Sequence, residues 1–158
     1  MNGMLTGGEE VMTNEWANTG HAEAYLARMA DIPHRAEGEA TLLSEIPKNT
    51  ERVLDLGCGN GHLLSLALAH CPQANGVGLD FSSTMLRQAR ERFAGDKRVT
   101  LVEHNLDAPL PDLDSFDCVV SSFAIHHCTH ARKREIYSEV FSLLEPDGVF
   151  CNLEHVAS

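Results

Sequence analysis

No stretch of this 158-residue sequence approaches the run of about 20 apolar residues that a membrane-spanning helix requires. Positive charge is scarce: 12 Lys and Arg stand against 23 Asp and Glu, a net charge of −11 with the nine His neutral. Such a surface repels phosphate backbones and anionic membranes, so nucleic acid and lipid are poor partners. The five cysteines (Cys58, Cys71, Cys118, Cys128 and Cys151) are odd in number and form no C-x-x-C pair. They read as reduced thiols, not as a disulfide frame. Met1 to Thr13 hold neither a basic segment nor an apolar stretch of the targeting kind, so a cytoplasmic protein is expected. Internal repeats and low-complexity tracts are absent too. Apolar residues at 43% and charged residues at 22% are ordinary for a globular chain, which excludes collagen, coiled coil and wholesale disorder.

One domain fills this length. Residues 1–13 read as a loose lead-in, since Gly3, Gly7 and Gly8 oppose helix there. From Asn14 to Met29 helix is favoured, broken around Asn18–Gly20, with Ala22, Tyr25, Leu26 and Met29 as its apolar stripe. Pro33 breaks it, a second helix runs from His34 to Ile46, and Pro47 ends that one. The texture then changes to alternating elements. Strands are expected at Arg52–Leu56, Gly76–Asp80, Val99–Glu103, Phe116–Ser121 and Val149–Leu153. Helices are expected at His62–His70, Ser83–Ala94 and Ala131–Leu144, with Gly95 capping the second and Pro146-Asp147-Gly148 turning the chain into the last strand. This alternation predicts an α/β domain over residues 14–158: helices at 14–47, then a parallel-sheet core at 51–154 with helices on both faces. The link from Glu103 to Phe116 is expected to be mostly loop, held extended by Pro109 and Pro111.

The chemistry concentrates in Val53-Leu54-Asp55-Leu56-Gly57-Cys58-Gly59-Asn60-Gly61. Glycines at alternate positions let the backbone turn sharply from strand to helix, with no side chain between loop and ligand and with N–H groups offered to it. Such a turn lies at the carboxyl end of a strand, where open α/β sheets bind ligands. Asp80 ends the next strand, placed to accept both hydroxyls of a ribose.

These residues resemble the class I S-adenosylmethionine-dependent methyltransferases. The resemblance extends through Val77-Gly78-Leu79-Asp80-Phe81-Ser82, Leu110-Pro111, Ser115 to Ser122, and Leu144 to Gly148, in order, covering about Arg52 to Leu153. It implies a Rossmann-like doubly wound sheet of order 3-2-1-4-5 and S-adenosylmethionine as cofactor, with S-adenosylhomocysteine as product. By position, Asp55, Gly57, Cys58 and Gly59 would hold the amino-acid end of the cofactor, and Gly61 would allow close helix packing. Asp80 would take the ribose hydroxyls and Phe81 would lie against the adenine. Asn105 and Leu106 stand where the family has an acidic residue and its neighbour at the adenine edge; the amide is a departure, still able to accept and donate. Ser121, Ser122 and Phe123 would close the pocket. The family's domain continues past a fifth strand, so a C-terminally truncated domain is expected, weak in catalysis and prone to self-association through an exposed fifth-strand edge.

The rival is a nicotinamide Rossmann protein. Its pyrophosphate would be repelled by Asp55, whereas an ammonium or sulfonium would be attracted. His126, His127, His130 and Cys128 crowd one segment, but their spacing matches no zinc pattern and no metal is expected. His126 and His127 leave the fourth strand where the methyl should lie and are candidate bases; His155 is a weaker one. Trp16 and Tyr25 either cover the cofactor or anchor the N-terminal helices. The expected reaction is methyl transfer to a small-molecule acceptor. A non-catalytic cofactor-binding module is the alternative.

Overall fold

The computed structural model describes residues 19–29 and 31–155. The expected lead-in, the helix start at Asn14 and Trp16 lie outside the described residues. Two N-terminal helices, α1 (Thr19–Met29) and α2 (Arg35–Ser44), precede the alternating core. The core runs β1 (Arg52–Leu56), α3 (His62–His70), β2 (Asn75–Asp80), α4 (Ser83–Arg92), β3 (Val99–Glu103), β4 (Phe116–Ser122), α5 (His130–Leu143) and β5 (Leu144–Leu153). A single 3-10 turn, Ile125–His127, separates β4 from α5. All strands pair in parallel in the order β3-β2-β1-β4-β5. The order reverses between β1 and β4, so a crevice opens at the carboxyl ends of those two strands.

Each face of the sheet carries its own core. On one, Val53, Cys118 and Val120 meet Leu63, Leu64, Ala67 and Leu68 of α3 and Leu42 of α2. On the other, Leu54, Leu56, Leu79 and Val119 meet Ile136 and Val140 of α5. From Val53 to Leu56 the central strand β1 is apolar on both sides except at Asp55, as a strand covered on both faces should be. Helix α4 starts where Ser82 Oγ accepts the Met85 N–H at 3.3 Å, and α5 where Thr129 Oγ accepts that of Arg132 at 3.2 Å. All five cysteines are free. Among the described residues, no helix is long and apolar enough to cross a membrane.

The link between β3 and β4 has no helix, and α5 holds it in place. Arg132, only 6% exposed, donates through Nε to Leu106 O at 2.7 Å and through Nη2 to Ala108 O at 2.7 Å. Its guanidinium also meets Glu139 at 2.6 and 2.9 Å, and Glu139 in turn accepts the Leu110 N–H. Leu110 and Leu113 then pack against the second core. A buried, fully bonded guanidinium thus organises a loop that covers part of the sheet.

The Pro146-Asp147-Gly148 turn does not precede the last strand; it interrupts it. Leu144 already pairs with Phe116 and Val149 pairs with Cys118, so residues 145–148 bulge out of β5. Asp147 takes a left-handed backbone there (φ 66°), and any side chain at Gly148 would press on Glu145 O at 2.8 Å. The Tyr137/Phe141 pair on α5 faces outward, with Phe141 82% exposed, while Ile136 and Val140 carry the packing.

Candidate functional site

The glycine loop turns left-handed three times, at Gly57 (φ 70°), Gly59 (φ 54°) and Gly61 (φ 80°). Only glycine enters this region freely, but the three positions differ in what surrounds them. A Cβ at Gly57 would stand 2.3 Å from Ala124 Cβ, and one at Gly61 would stand 2.5 Å from Phe93 Cε2. At Gly59 it would meet nothing within 4 Å. Gly57 and Gly61 are therefore packing glycines, whereas Gly59 presents a bare backbone to open space.

Four of the loop's five N–H groups, those of Gly57, Cys58, Gly59 and Gly61, are not offered to a ligand as expected. Those of Gly57 and Cys58 both donate to Leu79 O (2.8 and 2.9 Å), and that of Gly61 donates to Cys58 O (2.8 Å). The Gly59 N–H donates to Asp80 Oδ2 at 2.9 Å. Asp80 Oδ1 accepts from the Ser82 N–H at 2.8 Å and the carboxylate accepts from the Phe81 N–H as well, so a lone pair is left for a further donor. Burial raises the Asp80 carboxyl above its ordinary range, against the bonds from Ser82, Gly59 and Phe81 that lower it.

Asp55 is the unusual group. It is 1% exposed, one oxygen accepts the backbone N–H of Leu64 in the first turn of α3, and Oδ2 is buried with no partner. Desolvation, reinforced by the negative charge of Asp80, pushes its carboxyl up to about 8. A buried acceptor without a donor costs about 1–3 kcal/mol. A cationic donor in the crevice would remove that cost.

The roughly 370 Å³ of free space in and before the crevice includes solvent, to which the crevice is open. Asp55, Gly57, Cys58, Gly59 and Ser122 line it together with Tyr25, Arg35, Asn60, His62, Leu63 and Met85. Ser122 Oγ is a second buried polar atom without a partner. Phe81 is half-buried, belongs to neither core and follows Asp80 directly; neither of these two is among the residues that line the crevice. The Cys58 thiol is driven well up by burial and by the charges of Asp55 and Asp80, which leaves it unreactive.

Three expected residues are engaged elsewhere. Ser121 is fully buried and its hydroxyl donates to Leu56 O at 2.8 Å, tying β4 to β1 instead of closing a pocket. Asn105 is exposed, and its Oδ1 accepts the Asp107 N–H at 3.0 Å in an Asx turn. The Leu106 side chain belongs to the second core. Phe123, at φ 53°, stacks on His155 with ring centroids 4.6 Å apart. His126 Nδ1 lies 2.5 Å from Glu154 Oε2, and exposed His127 rests against it with ring centroids 3.9 Å apart.

The alternation pattern did not reveal the wall that the N-terminal helices provide. Glu39, 7% exposed, bonds Arg35 Nε at 2.7 Å and faces His62 Nε2 at 3.2 Å, joining α2 to the start of α3. The i,i+4 spacing of Arg35 and Glu39 was the available signal. Tyr25 of α1 is held above its ordinary range by burial, with Arg35 opposing and Asp80 and Glu154 adding to the shift. Its hydroxyl thus stands within electrostatic reach of both carboxylates.

A family model described as a methyltransferase domain matches residues 53–148, from β1 to the bulge in β5. The chain belongs to the methyltransferase domain family. It is 41% identical over 110 residues to demethylmenaquinone methyltransferase of Clavibacter sepedonicus, covering 69% of this chain and 43% of that protein. To trans-aconitate 2-methyltransferase of Rhodopseudomonas palustris it is 34% identical over 132 residues, covering 81% of this chain and 47% of that one. An S-adenosylmethionine-dependent methyltransferase structure from Mesorhizobium loti superposes with a TM-score of 0.61 at 33% identity, covering 70% of this chain and 50% of its own. The chain spans about half the length of the curated relatives it matches. As a methyltransferase domain it supplies the sheet and the glycine loop, and the switch-point crevice is its candidate site.

Proposed function

We propose that this domain binds S-adenosylmethionine in the β1–β4 crevice and transfers its methyl group to a small-molecule acceptor in the cytoplasm. The observation that carries the reading is the orphaned Asp55 Oδ2 beside Asp80, in a crevice whose loop N–H groups at 57, 58, 59 and 61 are already used. The Asp80 carboxylate, an Asp55 that can give up its proton to face a cation, and loop N–H groups already engaged at four of five positions suit a cationic nucleoside better than a pyrophosphate, which argues against a dinucleotide. Asp55 would accept from the ammonium, and the lone pair left on Asp80 would accept from the ribose. Gly59 would let the backbone lie against the ligand, and Phe81 would cover the adenine. When bound, the cofactor supplies a methyl already activated on a sulfonium, so alignment and exclusion of water are what the protein adds. Tyr25 on α1 covers the crevice and excludes water there. The family relatives named for demethylmenaquinone and trans-aconitate, together with the charge of −11, support a small acceptor over a nucleic acid.

Incubation with S-adenosylmethionine and a metabolite pool tests this reading. Formation of S-adenosylhomocysteine supports it. Binding without conversion would instead support a non-catalytic module.

A further inference from the structure

Two thiols meet across the open side of the sheet. Val120, two residues after Cys118 on β4, pairs with Cys151 of β5, so Cys118 and Cys151 are diagonal neighbours on one face. Both pack in the core that holds Leu42 and Ile46. Cys118 is fully buried, whereas Cys151 is partly exposed on the edge strand. The Cys118 thiol hydrogen-bonds to the Cys151 sulfur, and this bond holds the Cys151 thiol below its ordinary range, against burial and the charge of Glu45. Burial drives the Cys58 and Cys128 thiols the other way, and Cys71 is fully buried with its thiol on Pro47 O at 3.3 Å. Cys151 is thus the cysteine that joins access to thiolate character, with a second thiol beside it, as oxidisable pairs do.

The strand that carries Cys151 also carries a wall of the crevice. A Cβ at Gly38 would stand 2.9 Å from Leu153 Cδ1, so α2 lies directly on β5. The same helix bears Arg35, which lines the crevice, and Glu39, which holds the crevice residue His62 at 3.2 Å. Two residues of rise and one strand spacing put diagonal Cα atoms roughly 8 Å apart. A disulfide spans about 4.4–6.8 Å, so joining these sulfurs requires the backbone to move. The strand free to move is β5: among the described residues only β4 pairs with it, and it bulges at 145–148.

We propose that Cys151 and Cys118 form a peroxide-responsive thiol pair whose closure draws β5 toward β4, displaces the α2 wall and weakens the crevice's hold on its ligand. Only that last effect rests on the cofactor reading above. The Cys151 thiolate attacks one oxygen of hydrogen peroxide, the O–O bond breaks and hydroxide leaves, giving Cys151–SOH. The sheltered Cys118 sulfur then attacks the Cys151 sulfur. The S–S bond forms, the S–O bond breaks, and the hydroxyl leaves as water with the Cys118 proton. The two sulfurs lose two electrons, and the peroxide becomes two waters once the first hydroxide takes the proton that Cys151 released. A disulfide closed against its preferred span is readily reduced, so a small thiol should reopen it.

The chemistry is read without turnover. The reduced chain is treated with hydrogen peroxide at neutral pH, alkylated and mapped by peptide mass spectrometry. A Cys118–Cys151 disulfide should be the main product and should vanish with dithiothreitol. In Cys118→Ala, which keeps a small apolar group in the core, Cys151 should stop at the sulfenic acid and be trapped by dimedone. In wild type, oxidation should speed hydrogen exchange across residues 35–44 at least about 5-fold, reversibly, and Cys151→Ser should show no such change. A disulfide between any other pair, Cys128 oxidising before Cys151, no disulfide at all, or a disulfide that leaves exchange at 35–44 unchanged overturns the proposal. Calorimetry then compares the two forms: the oxidised chain should bind S-adenosylhomocysteine at least about 10-fold more weakly than the reduced one, and equal affinity overturns the coupling. A reduced chain that binds none strikes the cofactor reading instead and leaves the thiol pair standing.

Discussion

The backbone N–H of Gly59 and the carboxylate of Asp80 are joined at 2.9 Å, 21 residues apart in sequence. This bond fixes the glycine loop of β1 to the end of β2, so the carboxylate does structural work before any ligand arrives. With the bonds from Ser82 and Phe81, it still leaves the Asp80 carboxylate able to accept a further donor.

Asp80→Ala should therefore weaken S-adenosylhomocysteine binding at least about 100-fold, since hydrogen bonds to a charged group contribute about 1.5–3 kcal/mol each. Calorimetric titration checks this. An affinity unchanged within 3-fold would place the ribose elsewhere.

Gly57→Ala and Gly59→Ala should part company. Both force a side chain into the left-handed region, costing about 1–2 kcal/mol. Gly57→Ala also drives a methyl onto Ala124, 2.3 Å from its Cβ, and should lower Tm further than Gly59→Ala does. Gly59→Ala should lose only that cost of about 1–2 kcal/mol and stay folded, yet lose cofactor binding, because its methyl stands in the open space where the ligand would meet the backbone. Thermal melts with paired titrations separate the two effects.

Asp55 makes stability depend on pH in an uncommon direction. Its folded carboxyl, at about 8, lies above the ordinary 3.8. Between those values the folded state holds a proton that the unfolded state has released, so stability falls as pH rises from about 4 to 8. Asp55→Asn should lack that fall and melt higher than wild type at pH 8 without ligand, while binding no cofactor. In wild type, an incoming ammonium should expel the proton, releasing about one per site at pH 7 and few above pH 9. Titrations in buffers of different ionisation enthalpy count it.

Much of this was legible in the residues. The strands at Arg52–Leu56 and Val99–Glu103 and the helix at His62–His70 fall where periodicity and glycine stops put them. Gly57, Gly59 and Asp80 meet in one place, because a strand–glycine–helix turn can only sit at a strand's carboxyl end. What was illegible depends on long-range partners. Nothing local says that Ser121 will turn to Leu56, or that Glu154, after α5 and β5, will reach back to His126. Nor does a sequence show which loop N–H groups are spent on Leu79. The bulge at 145–148 was read as a turn because Pro-Asp-Gly is turn chemistry whether or not Leu144 pairs ahead of it.

Arg132 was equally hidden, since an arginine on a helix ordinarily faces water. Arg132→Leu leaves Glu139 partly buried without its partner, a change that costs about 3–5 kcal/mol when a buried pair is broken. The melting temperature should fall by roughly 6–20 °C for a chain of this size. The double variant Arg132→Leu with Glu139→Leu should recover part of the loss. A fall below 2 °C would show that the 104–115 loop stands without the clamp.

The most direct test of the account is calorimetric titration of S-adenosylhomocysteine into the folded chain. One molecule should bind per chain, NAD should not compete, and Gly59→Ala should abolish the signal while the protein stays folded. A folded wild type that takes up no nucleoside, or one whose site is filled by NAD instead, would contradict it.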